Sequence, residues 1–160
     1  MKRSKPVKLS IELVPKTCWF SNVRDHVATE SWNIIRFAVY KKAGYECEIC
    51  GDQGPKWPVE CHEVWDYNDD TWIQKLIGFQ ALCPLCHKVK HIGFAGYSGN
   101  AEPAVKHLMK VNRWAPSETK RYLKEVFEIF WNRSTHDWKL DLGLLDQLGV
   151  PTFEDERMKK

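Results

Sequence analysis

A chain of 160 residues that is 43% hydrophobic can bury one real core but not several. Its net charge of +3 is too small to name a polyanionic partner on its own. No apolar run approaches the ~18 residues of a membrane span, and Ser10 and Glu12 break the stretch after Met1-Lys2-Arg3, so neither a membrane partner nor a secretory leader is expected.

Val7, Leu9, Ile11 and Leu13 alternate with polar residues, which predicts a strand. Pro15 to Val27 reads as a loop carrying Cys18, Trp19 and Phe20. Thr29 or Ser31 can cap a helix that buries Trp32, Ile35, Ala38 and Val39, with Gly44 as its stop. Residues 58–66 read as a strand, and Asn68-Asp69-Asp70 as the turn after it. Trp72 to Leu82 reads as the return strand, although Trp72, Leu76 and Phe79 also sit at helical spacing.

Cys83-Pro84-Leu85-Cys86 then opens a helix containing His87 and His91, and Gly93, Gly96 and Gly99 predict a loop. Pro103 to Val111 is a helix. Ser117 can cap another whose apolar stripe is Tyr122, Leu123, Val126, Phe127 and Phe130. Trp138 to Val150 reads as a short strand or turn and a short helix, and Glu154 to Lys160 as a frayed charged tail.

The paired cysteines carry the strongest signal. Cys47-Glu48-Ile49-Cys50 and Cys83-Pro84-Leu85-Cys86 offer four thiolates to one tetrahedral Zn²⁺, and such a structural ion would add folding free energy. Iron on the same four sulfurs is the redox alternative. Six cysteines could instead form three disulfides, but CxxC pairs are poorly spaced to bridge distant segments, and a cytoplasmic location favours metal ligation. Cys18 and Cys61 lie outside the knuckles and read as free buried thiols.

His87 and His91 lie one helical turn apart on one face, a spacing that suits a single divalent ion. His62 is the best third ligand. Strand with His62, return strand, and helix with His87 and His91 resemble the ββα-metal finger of the HNH nuclease family. The stretch Val59-Glu60-Cys61-His62-Glu63-Val64 is similar to the family's first motif, and Ala81 to His91 matches its last motif; Cys47 and Cys50 complete the zinc-bearing variant.

The resemblance covers roughly residues 45–92. It implies a treble-clef ββα-metal core over residues 45–92, and with the elements read above the chain is expected to be an α+β protein with an N-terminal part (1–44: strand, loop and helix) and a C-terminal helical part (93–160) in a single compact domain. It places His62, His87 and His91 around a catalytic Mg²⁺, Mn²⁺, Ni²⁺ or Zn²⁺, with Glu63 where the family has its base histidine. The family's central asparagine falls near Gly78. In a second register Cys61 is the ligand and His62 the base.

The implied activity is metal-dependent endonuclease cleavage of phosphodiester bonds, with double-stranded DNA as the partner. Lys88, Lys90, Arg113 and Trp114 are the candidate DNA contacts. The rival reading is a catalytically silent zinc module that binds nucleic acid or protein. Clusters at Lys2, Arg3, Lys5 and Lys8, and from Lys106 to Lys124, read equally as solvated faces or phosphate contacts. Of eight tryptophans, Trp19, Trp32, Trp57, Trp65, Trp72 and Trp131 are assigned to packing, and His26, His107 and His136 to structural or surface roles.

Overall fold

The computed structural model describes residues 6–93 and 101–160 and has a mixed α+β architecture. Strands β1 (Glu60–Asn68) and β2 (Ile73–Leu82) form an antiparallel hairpin, and β3 (Lys139–Asp141) runs parallel to β2, giving the order β1-β2-β3 with β1 at an edge. The helices are α1 (Thr29–Lys42), α2 (Pro84–Lys90), α3 (Ala101–Asn112), α4 (Pro116–Arg133), α5 (Gly143–Gln147) and α6 (Phe153–Met158). No helix among the described residues is long and apolar enough to cross a membrane. The expected loop glycines Gly96 and Gly99 lie outside the described residues.

The hairpin turn follows its sequence. Asn68 Oδ1 accepts from the Asp70 and Thr71 amides at 3.0 Å each, and Arg133 clamps Asp69 with two hydrogen bonds of 2.7 Å. Those aspartates therefore build a turn and an ion pair.

The register shifts between Val64 and Trp65, where Gly78 pairs with Val64 but Leu76 pairs with Trp65. Ile77 is the extra residue, half-exposed and unpaired. A bulge of this kind reverses which side chains face which side. Leu82 thus joins a core with Leu9, Val89, Leu108 and Tyr122, while Leu76 joins the opposite core with Val23, Trp32, Ile35 and Leu145. This is why the return strand shows no clean alternation.

Several local expectations are corrected. Residues 7–13 form no strand and belong to no sheet, and the chain bends at Lys8 and Leu9. Side chains supply their ladder instead: Asn112 Oδ1 accepts from the Lys8 and Leu9 amides, Asn112 Nδ2 donates to the Leu9 carbonyl, and the Tyr122 hydroxyl accepts from the Ile11 amide. Asn112→Ala removes three bonds that anchor this segment. The expected cost is about 2 kcal/mol, from about 0.5–1.5 kcal/mol per bond, and a denaturant melt measures it.

Helix α1 starts one residue after an uncapped Ala28, and Ala38 faces solvent, because only Trp32, Ile35 and Val39 reach the opposite core. Ser117 lies inside the first turn of α4, whose N-cap is Ala115 before Pro116. The C-terminal tail is helical, fixed by a capping box between Thr152 and Asp155.

Candidate metal centres

The four knuckle cysteines converge at the junction of β2 and α2, and none of the chain's cysteines is in a disulfide. Their sulfurs all lie within 4.8 Å of one another, and Cys50 and Cys83 are 3.6 Å apart. Zinc–sulfur bonds of about 2.3 Å in a tetrahedron put sulfurs about 3.8 Å apart, so the cluster can hold an ion such as zinc.

Local contacts prepare the cluster. Cys83 caps α2, its sulfur accepting from the Cys86 amide at 3.4 Å. The first knuckle is clamped to the end of β2 by reciprocal bonds, Glu48 amide to Ala81 carbonyl at 2.9 Å and Ala81 amide to Glu48 Oε2 at 2.6 Å. Gly54 closes the loop so tightly that a Cβ would lie 2.2 Å from the Trp57 carbonyl and 2.7 Å from Pro84. Hydrogen bonds from Cys83 and Cys86 pull the Cys47 thiol far below its usual range, and the same contacts push Cys86 up. Four sulfurs this close cannot all be anionic without a cation among them. His107 is buried, with Nε2 at 3.1 Å from Cys86 Sγ, so its role is structural and directed at the cluster.

The second cluster forms where β1 meets the end of α2. One ring nitrogen each of His62, His87 and His91 lies within 4.8 Å of the others, and the ring centroids are 5.0–5.4 Å apart. His62 sits on the β1 face that looks toward α2, and His91 just past the helix end at φ −109° and ψ 40°.

Two carboxylates orient the rings. His62 Nε2 meets Glu12 Oε2 at 2.7 Å, and His87 Nδ1 meets Glu60 Oε2 at 2.6 Å. An ionised carboxylate only accepts, so these nitrogens carry the protons and His62 Nδ1 and His87 Nε2 keep their lone pairs. His62 Nδ1 is buried with no protein partner. A buried nitrogen left bare at the meeting point of three rings is what a metal ligand requires, so these residues fit a divalent ion.

The electrostatics agree with neutral His62 and His91 rings. Burial lowers His62, and burial together with the neighbouring imidazoles pushes His91 down to about 3. Burial works to raise the Glu12 carboxyl, but hydrogen bonds and charge from His62 and Lys90 outweigh it and hold it at about 2. Lys90 is itself buried, donating to Glu12 Oε1 and to Ser10 Oγ.

Glu63 faces the opposite side of β1 from His62 and accepts from the Val23 amide at 2.9 Å. Burial pushes its carboxyl up to about 7. Because β1 is an edge strand, one cleft over its free edge is lined by both His62 and Glu63. Gly78 stands opposite Val64, and a Cβ there would meet nothing within 4 Å; a backbone amide, not a residue at Gly78, holds Glu63. Cys61 packs in the opposite core, and burial pushes its thiol up to about 12, so the register with Cys61 as ligand does not fit.

The expected DNA contacts divide. Lys88 and Arg113 are exposed. Lys90 is consumed by Glu12 and Ser10, and Trp114 is buried edge-on against Tyr122 at 4.9 Å, so neither presents a surface to a nucleic acid. Trp19, Trp57 and Trp131 are about half exposed rather than packed, Trp57 donating to Glu60 at 2.9 Å.

Glu12 and Glu60 are the residues that sequence reasoning missed. Glu60 lies two positions before His62, so strand alternation puts it on the same face. Glu12 is fifty residues away with no local signal. Comparison with protein-family models, with curated proteins and with solved structures finds no match for this chain.

Proposed function

We propose that this chain is an HNH-like metal-dependent endonuclease that hydrolyses phosphodiester bonds of DNA, built on a treble-clef ββα-metal core with structural zinc on Cys47, Cys50, Cys83 and Cys86. One observation carries the reading: His62, His87 and His91 converge beside a cleft, with His62 Nδ1 buried and bare. A divalent cation held by the three imidazoles would supply positive charge to a phosphate oxygen and to the leaving oxygen.

The chain's own groups do the rest. Glu12 and Glu60 fix the tautomers of His62 and His87, and Lys90 in turn holds Glu12. Glu63, on the same cleft wall, receives the proton of the attacking water. Exposed Lys88 stands one residue beyond His87 and can hold the strand's phosphates.

Glu12→Gln breaks the ion pair to buried Lys90 and weakens the acceptor for His62. Chelator competition at the histidine site should show about 10- to 100-fold weaker metal binding. Unchanged affinity would mean that the pair only packs the N-terminal segment.

The function itself is tested by incubating supercoiled plasmid with the protein and Mg²⁺, Mn²⁺, Ni²⁺ or Zn²⁺. Nicking that is lost in His87→Ala supports the nuclease. Plasmid and single-stranded DNA that both stay intact under every metal refute it and leave the silent binding module.

A further inference from the structure

The cleft over the edge of β1 does not end at the histidines. The cavity of about 940 Å³ that they line with Glu63 also has Trp19, Phe130 and Trp131 in its lining. Two of these, Trp19 and Trp131, are 52% and 53% exposed, so large aromatic surface faces solvent there. Single exposed aromatics are ordinary, but these share one cavity with a candidate phosphate-cleaving centre.

The wall is already in place. The Trp19 indole donates to the Val14 carbonyl at 3.0 Å, the Lys16 amide to Ser134 Oγ at 3.0 Å, and Thr17 Oγ1 to the His136 carbonyl at 2.7 Å. The first bond folds the 14–20 segment on itself, and the other two pin it to the residues just past α4.

A cation accompanies the rings. Lys16 Nζ lies over one face of the Trp131 ring, 4.1 Å from its centroid, so a base that stacks on that face displaces this flexible side chain. Two acids share the lining, each accepting from a neutral donor: Asp25 from Asn22 Nδ2 at 2.7 Å, and Glu63 from the Val23 amide.

Aromatic faces next to cations match one nucleic-acid chemistry. Stacking needs an open π-face, which paired bases inside a duplex do not offer and unpaired bases do. Volume agrees, because 940 Å³ exceeds what a single base fills and admits a short unpaired stretch.

We propose that this cavity binds unpaired nucleotides by stacking on Trp131 and Trp19, so that the substrate of the adjacent centre is a single-stranded or locally unpaired DNA segment rather than an intact duplex. The proposal rests on the nuclease reading for its substrate, but not for the binding itself.

Its test is therefore a binding measurement on zinc-loaded His87→Ala protein, with a fluorescent ten-residue oligothymidylate, the same length of abasic strand, and a duplex. Oligothymidylate should bind at least about tenfold more tightly than either of the others. Trp131→Ala, at an exposed helix position, should lose about tenfold in oligothymidylate affinity with no change for the duplex, and Trp131→Phe should regain most of it.

Equal affinity for the abasic strand, tighter duplex binding, or an equal loss for all three probes overturns the proposal. Base-dependent binding without cleavage of any DNA by wild-type protein would sink the nuclease and leave the stacking site standing. Duplex cleavage without preference for unpaired strands would do the reverse.

Discussion

Cys86→Ser should leave the protein without a cooperative thermal transition, and chelation of zinc from the wild-type chain should do the same. The structural argument is one of scale. Structural zinc sites contribute apparent free energies of about 10–16 kcal/mol in small domains at neutral pH, whereas whole domains are stable by about 5–15 kcal/mol. Cys47, Cys83 and Cys86 are themselves buried members of the core that holds Leu9, Val89 and Leu108.

Helix α2 has seven residues, too few to persist by its own hydrogen bonds. Its first turn is set by Cys83 and Cys86, and the histidines at its other end inherit their placement from that turn. Near-UV circular dichroism, melting and elemental analysis should therefore fall together. A Cys86→Ser protein that melts within about 5 °C of wild type would show that the cluster contributes no more than about 1–2 kcal/mol, and that the sulfurs pack without an ion. Iron in place of zinc would show as visible absorption.

The knuckles and the pair of His87 in α2 with His91 at its C-cap were legible because their signals are local. A CxxC turn places two sulfurs together whatever surrounds it, and an i, i+4 pair shares a helix face. His62 was reached only through the order of strand, strand and helix. The hairpin turn and α4 were legible for the same reason, from Asn68 and from the stripe ending at Phe130.

What was not legible is made at a distance. Glu12 meets His62 across fifty residues, and it also converts Lys90 from a phosphate contact into an internal counterion. The N-terminal segment alternates like a strand yet forms none, finding its partners in the side chains of Asn112 and Tyr122. Ile77 has no sequence mark as a bulge, yet it decides which core receives Leu76. Tryptophan counts likewise could not separate buried Trp32 from half-exposed Trp131.

His87→Ala and Glu63→Gln should both slow cleavage by about a hundredfold or more while differing in metal content. The side chain of His87 is 25% exposed and that of its partner Glu60 31%, so water can replace the lost contact and folding should survive. With one of three imidazoles gone, the ion held by the histidines should leave, and metal per chain should fall from two to one. Loss of that ion removes several kcal/mol of charge stabilisation, which is a fall of at least about a thousandfold in rate. Glu63→Gln keeps all three ligands and the Val23 hydrogen bond acceptor, so metal content should stay at two. Its rate should fall by about 10²–10⁴, the range for a positioned general base. Retained cleavage in His87→Ala would remove the catalytic ion from the mechanism. Full activity in Glu63→Gln would return that carboxylate to a packing role against the 23–25 turn and leave another group to take the proton.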